Sequence, residues 1–245
     1  MRHLRQLVFA AALAIALAPA PVRAGEVCAE PLTQGWEPWP PYQMPGRAGP
    51  TGIDIEIVEA IASEMGCRVT HQRMPWTRLL DSIKSGDVDF AVQANRTRAR
   101  AGYAYYSEPY LPYETRLIVE ADARQDYGTL EGFLAAGKTV GVVRGYDYGT
   151  QIDRLLARPA YRRQVVEAYT VGAHVKPLVR ARVDGVIAEP AVFAHEAQEA
   201  GLRDEIAITD LTLTRVQTYA IFSKASTSRA TVAAFNAAMR TVRRR

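Results

Sequence analysis

Histidine and cysteine are scarce in this chain, four and two among 245 residues. His3, His71, His174 and His195 show no metal-ligand spacing, and two lone cysteines make a poor case for a metal. Neither a resident metal nor a cofactor is expected. Hydrolase signatures are missing too: there is no G-x-S-x-G, no H-E-x-x-H and no Ser/His/Asp arrangement. After residue 18 no apolar run is long enough to predict a membrane-spanning helix. An excess of one charge is also lacking. Basic residues number 30 against 26 acidic ones, but three of the arginines fall within positions 1–24. Without those the balance is near neutral, which removes the main motive for nucleic-acid binding. The basic run Arg240, Arg243, Arg244 and Arg245 closes a predicted helix, where cations favour the helix dipole.

What is present begins with a leader. Arg2, His3 and Arg5 precede an apolar stretch, Leu7 to Ala18, and then Val22-Arg23-Ala24. That order predicts a secretory signal peptide, cleaved after Ala24. Gly25-Glu26-Val27 lacks the leucine of a lipid-anchor site before Cys28. Residues 25–245 suffice for two modest lobes with their own cores.

Apolar runs and helical periodicities alternate along that remainder. Strands are predicted at Val69–Arg73, Val88–Val92, Leu111–Glu120, Thr139–Val143, Val165–Ala168 and Leu211–Phe222. Between them, helices are expected after Asp54 (read as an N-cap), after Pro75, and over 128–136, 147–157, 174–182 and 191–200, with a closing helix over 228–244. The alternation argues for an α/β fold with mainly parallel sheets. Val183-Asp184 before Gly185-Val186-Ile187-Ala188 echoes Val88-Asp89 before Phe90-Ala91-Val92, as two similarly built lobes would.

The stretch with the clearest chemistry is Asn95 to Tyr110, N-R-T-R-A-R-A-G-Y-A-Y-Y-S-E-P-Y. Thr97 is placed to cap a helix and Arg100 lies three residues on, so a strand end, a helix start and a guanidinium meet where an anion would bind. On charge alone, a solvated arginine-rich loop explains the same letters. The pattern T-x-x-R, then S-x-P-Y seven residues after the Arg, resembles the signature of bacterial family 3 solute-binding proteins. It is carried here by Thr97, Arg100, Ser107, Pro109 and Tyr110.

That resemblance covers nearly the whole chain after the leader and implies a two-lobe periplasmic binding protein of type II. One lobe would span 25–116 and 212–245, the other 117–211, with the ligand cleft between them. The implied activity is capture of an amino acid or similar small carboxylate by hinge closure, and delivery to an inner-membrane ABC permease by a periplasmic monomer. Arg100 would grip the carboxylate. Glu189, at the end of the second lobe's strand, would meet the ammonium in place of the family's Asp. Trp36 (in W-E-P-W-P-P-Y) and Trp76 (in P-W-T-R) would wall the ligand, with Trp39 equally explained as packing. Thr97, Gln93 and Asn95 match the family's hydroxyl and amide contacts, and Tyr146 replaces the Thr of the x-G-T turn.

Cys28 and Cys67 each precede a predicted strand, and parallel neighbours would bring the strand starts together. A disulfide is the first reading, two buried thiols the second. Two other functions stay open. One is an enzyme of the same fold resembling cyclohexadienyl dehydratase, with Glu189 as general acid. The other is an accessory or sensor protein, because V-C-A-E-P echoes proteins associated with periplasmic quinoprotein dehydrogenases.

Overall fold

In a computed structural model, which describes residues 28–244 apart from 124 and 126, a single eight-stranded sheet runs through two lobes. The predicted leader and Arg245 lie outside the described residues. The first lobe is built from β1 (Leu32–Trp36), a small hairpin of β2 (Met44–Pro45) and β3 (Pro50–Thr51), α1 (Ile53–Met65), β4 (Val69–Arg73), α2 (Trp76–Ser85), β5 (Phe90–Ala94) and α3 (Arg98–Tyr103). A long strand, β6 (Ala104–Glu120), then crosses over. The second lobe carries α4 (Leu130–Ala135), β7 (Val140–Val143), α5 (Thr150–Leu156), β8 (Val165–Ala168), α6 (Val175–Val179), β9 (Gly185–Ala188) and α7 (Pro190–Glu199). The chain returns along β10 (Ile206–Ser223) and closes with α8 (Arg229–Val242).

The sheet order is β4-β1-β5-β10-β6-β9-β7-β8. Pairing is parallel within each flank and antiparallel around the two crossing strands. Each lobe buries its own apolar residues. Phe90, Phe222 and Phe235 meet at centroid distances of 5.0–6.2 Å in the first, sandwiched by α1 and α8. Fully burying one such ring is worth about 1.5–3 kcal/mol. In the second lobe Phe133 and Phe193 are fully buried.

The repeated Val-Asp has a structural cause. Asp89 accepts the Thr33 amide at 2.8 Å as the chain enters β1, and Asp184 accepts the Thr139 amide at 2.8 Å as it enters β7. In both lobes an aspartate before one central strand pins the start of its parallel neighbour. Cys28 and Cys67 are joined as a disulfide with Cα atoms 5.5 Å apart, and β1 and β4 pair in parallel from Leu32 opposite Val69.

Three expectations are corrected. Asp54 does not cap α1: Gly52 does, at φ 113, where a Cβ would stand 2.5 Å from the Tyr42 carbonyl oxygen. That close approach admits only glycine and turns Asp54 inward, fully buried in the first turn. Secondly, β6 starts at Ala104 rather than Leu111, so Ser107-Glu108-Pro109 lies inside a strand. Pro109 is tolerated because β6 and β10 shift register beside its partner Tyr219. Thirdly, α5 begins at Thr150, three residues beyond Asp147, after Gly149 at φ 93.

Candidate ligand site between the lobes

Strand ends from both lobes converge on one cavity. Thr97 caps α3 by accepting the Arg100 amide at 3.1 Å, and that turn directs the Arg100 side chain into the cavity wall at only 6% exposure. Its guanidinium donates to the Asn95 carbonyl at 3.0 Å and, across the cleft, to the Gly145 carbonyl at 3.3 Å. The same group lies 5.5 Å over the Trp76 ring, a cation–π contact. Both carbonyls are neutral, and among the described residues no acid forms an ion pair with Arg100. A planar fork of donors held in a buried wall suits a carboxylate.

The same cavity holds a residue the sequence did not single out. Gly35 and Glu37 face the cavity while Trp36, between them, turns to the other side, as strand alternation requires. Glu37 is 6% exposed. One carboxylate oxygen accepts the Tyr146 hydroxyl at 2.6 Å and the other accepts the Trp76 amide at 2.9 Å. Burial lifts its pKa to about 7, against the lowering effect of those two hydrogen bonds. Burial also pushes the Tyr146 phenol well above its usual range, so it remains the donor. Tyr146 meets the Trp76 ring edge-on at 6.3 Å, and the Asn95 side chain donates to the Asp147 carbonyl at 2.6 Å. The space enclosed is small, about 50 Å³.

The floor is a polar relay. Asp54 accepts from the side-chain amides of Gln43 at 3.0 Å and Gln93 at 3.2 Å, and Thr218 donates to the Gln93 carbonyl oxygen at 2.8 Å. Gln93 is held at φ 60, a conformation costing roughly 1–3 kcal/mol that neighbours must over-determine. Burial raises Asp54 to about 6, opposed by its hydrogen bonds.

These two carboxyls set a pH dependence. Both bind protons more tightly in the folded state than in the unfolded chain, so folding loses free energy as pH rises from about 4 to about 7, at most about 3 kcal/mol for each group. Urea titrations should therefore show a higher midpoint at pH 5 than at pH 8. Asp54→Asn and Glu37→Gln should flatten the difference.

Of the residues expected at the site, Arg100, Trp76, Gln93, Asn95 and Tyr146 line this cavity, and Trp36, Thr97 and Glu189 do not. Trp36 sits under the Arg73 guanidinium at 5.8 Å, and Trp39 takes the place on the wall, stacked on Tyr42 at 4.8 Å. The Thr97 hydroxyl is engaged in capping. Glu189 caps α7: Pro190 starts that helix, and one carboxylate oxygen accepts the Val192 amide at 2.7 Å. Gln43, Tyr113 and Asp147 join the lining unannounced. The period-2 pairing of Gly35 with Glu37 was the signal available for Glu37.

The comparisons agree with this architecture. The chain is 26% identical over 163 residues to an arginine-binding periplasmic protein of Mannheimia haemolytica, covering 66% of this chain and 63% of that one. It is 27% identical over 145 residues to a membrane-bound lytic murein transglycosylase F of Desulfosudis oleivorans, covering 58% and 31%. The chain thus spans less than two thirds of either relative. Among solved structures, a histidine kinase sensor domain with similarity to periplasmic binding proteins superposes with a TM-score of 0.76 at 20% identity, covering 87% of this chain and 90% of that one. A model of the bacterial extracellular solute-binding proteins, family 3, matches residues 32–245, and to that family this chain belongs.

Proposed function

We infer that the protein captures an amino acid or a similar small carboxylate-bearing solute in the periplasm, by closure of its two lobes, and hands it to an ABC permease. The observation that carries this reading is Arg100: a buried guanidinium, in ion-pair contact with no acid among the described residues, in a cavity between lobes. Trp76 would form the ligand's apolar wall, while Gln93, Asn95 and Tyr146 would supply polar contacts. Family membership supports solute capture, and the arginine-binding name of the Mannheimia haemolytica relative supports an amino acid. The lobes would divide at residues 116 and 211, where β6 and β10 lose regular register between Ile208 and Thr214. Closure is then a hinge motion of these two strands, selected by a ligand that touches both lobes.

A second reading, an enzyme of the same fold, is favoured by one observation: Glu37, buried beside Tyr146 with a pKa about 7, meets the requirement for a general acid.

The test is a thermal-shift screen of the ligand-stripped protein with amino acids and amine-free organic acids. A ligand at 100 times its dissociation constant adds about 2.7 kcal/mol of stability. A rise in midpoint with recovery of the compound unaltered is the expected result. Conversion of the compound would move the enzyme reading to the front, and no shift with any carboxylate would reject capture.

A further inference from the structure

Opposite charges line the cavity without meeting each other. Arg100 spends its donors on two carbonyls, and Glu37 accepts only from a phenol and an amide. Among the described residues neither forms an ion pair, although both are 6% exposed and both are held by Trp76, one over its ring and one on its amide. A buried guanidinium left without an anion is costly unless something else completes it, and Glu37, protonated by its burial, does not. A molecule carrying a carboxylate and a cation would complete both.

We propose that Glu37, and not Glu189, is the acceptor for a cationic group on the ligand, so that the site selects small zwitterions over amine-free acids. This rests on the carboxylate capture assigned to Arg100. Glu37 lines the cavity with both oxygens hydrogen-bonded at its wall, whereas Glu189 does not line it and caps α7 through one oxygen on the Val192 amide. Tyr146 donates to one of those oxygens from the opposite lobe, so an ammonium would either add to that oxygen or displace the phenol.

The charged and titratable groups around Glu37 are Tyr146, Asp147 and Tyr148, which follow β7, Tyr113 of β6 and Arg100 of α3, and burial raises all three phenols above their usual range. The Tyr146 phenol stays protonated. Taking up an ammonium requires the Glu37 carboxylate, so zwitterion binding expels the proton that burial keeps there. With a pKa about 7, the ionised fraction falls about tenfold between pH 8 and pH 6. Affinity for zwitterions should fall by the same factor, and affinity for amine-free acids should not.

The experiment is calorimetric titration of the mature protein with matched pairs that differ only in the amine, L-alanine against propionate and glycine against acetate, at pH 6 and pH 8. The expected result is tighter binding of each amino acid, weakening about tenfold at pH 6 with proton release on binding at pH 7. Glu37→Gln should weaken L-alanine binding tenfold or more and leave propionate within about twofold. Glu37→Asp, which keeps the charge, should recover part of the difference and shows that the loss is not misfolding. The proposal falls if Glu37→Gln binds L-alanine as the wild type does, or if Glu189→Gln removes the preference that Glu37→Gln keeps. A wild type that binds propionate and L-alanine equally overturns it as well, while capture itself survives. Binding of no carboxylate at all overturns both.

Discussion

Arg100→Ala is expected to weaken ligand binding by roughly 30- to 5,000-fold, the equivalent of about 2–5 kcal/mol for truncating one partner of a buried charged contact. The size follows from where the guanidinium lies. Water reaches only 6% of it, so a carboxylate that lost it would stay desolvated with no charge to answer its own. The Trp76 face that shares the cavity offers an apolar wall and no donors on its ring face. Arg100→Lys should restore little, because an ammonium cannot present two parallel N–H groups to a carboxylate while also reaching the Asn95 and Gly145 carbonyls. Isothermal titration of both variants checks this, with circular dichroism to confirm the fold. Arg100→Ala binding within threefold of wild type would remove Arg100 as the anchor.

Reduction of the Cys28–Cys67 bond is expected to cost about 4 kcal/mol. The bridge spans 39 residues of sequence, and closing a loop of that length removes chain entropy from the unfolded state. For a chain of this size, about 4 kcal/mol corresponds to a fall in Tm of roughly 8–16 °C. Cys28→Ser with Cys67→Ser, scanned thermally beside the oxidised wild type, measures it. An unchanged Tm would mean that the β1–β4 pairing holds those strand starts together unaided.

Part of this architecture was legible because it depends on neighbours in sequence. Thr97 caps α3 three residues before Arg100, a spacing any helix start imposes. The alternation of strands and helices gave the α/β class, the resemblance carried by Thr97, Arg100, Ser107, Pro109 and Tyr110 implied the two lobes, and the two cysteines sit before strands that do pair in parallel. What could not be read depends on partners far along the chain. Asp54 looked like a cap because its burial is set by Gln43 and by Gln93, 39 residues away. Glu37 gave no sign of its role because its partner Tyr146 is 109 residues distant and in the other lobe. Glu189 occupies the expected strand end, but which donor its carboxylate accepts from is decided by the unsatisfied amides of α7. Trp36 and Trp39 were ambiguous for a related reason: one residue of register decides which ring faces the cavity.

The order in which the strands lie has a consequence for synthesis. The second lobe is assembled almost wholly from consecutive chain, β7 through α7, and can close its core once the first residues of β10, Ile206 onward, have been added. The first lobe cannot. β5 stays an unpaired edge until residues 219–222 of β10 arrive beside it, and the apolar face of α1 waits for Phe235 and Met239 of α8. A chain made N-terminus first therefore holds an open, apolar half-sheet until β10 and α8 are complete. The disulfide between Cys28 and Cys67 lies wholly within that waiting half, where it ties the start of β1 to the start of the edge strand β4.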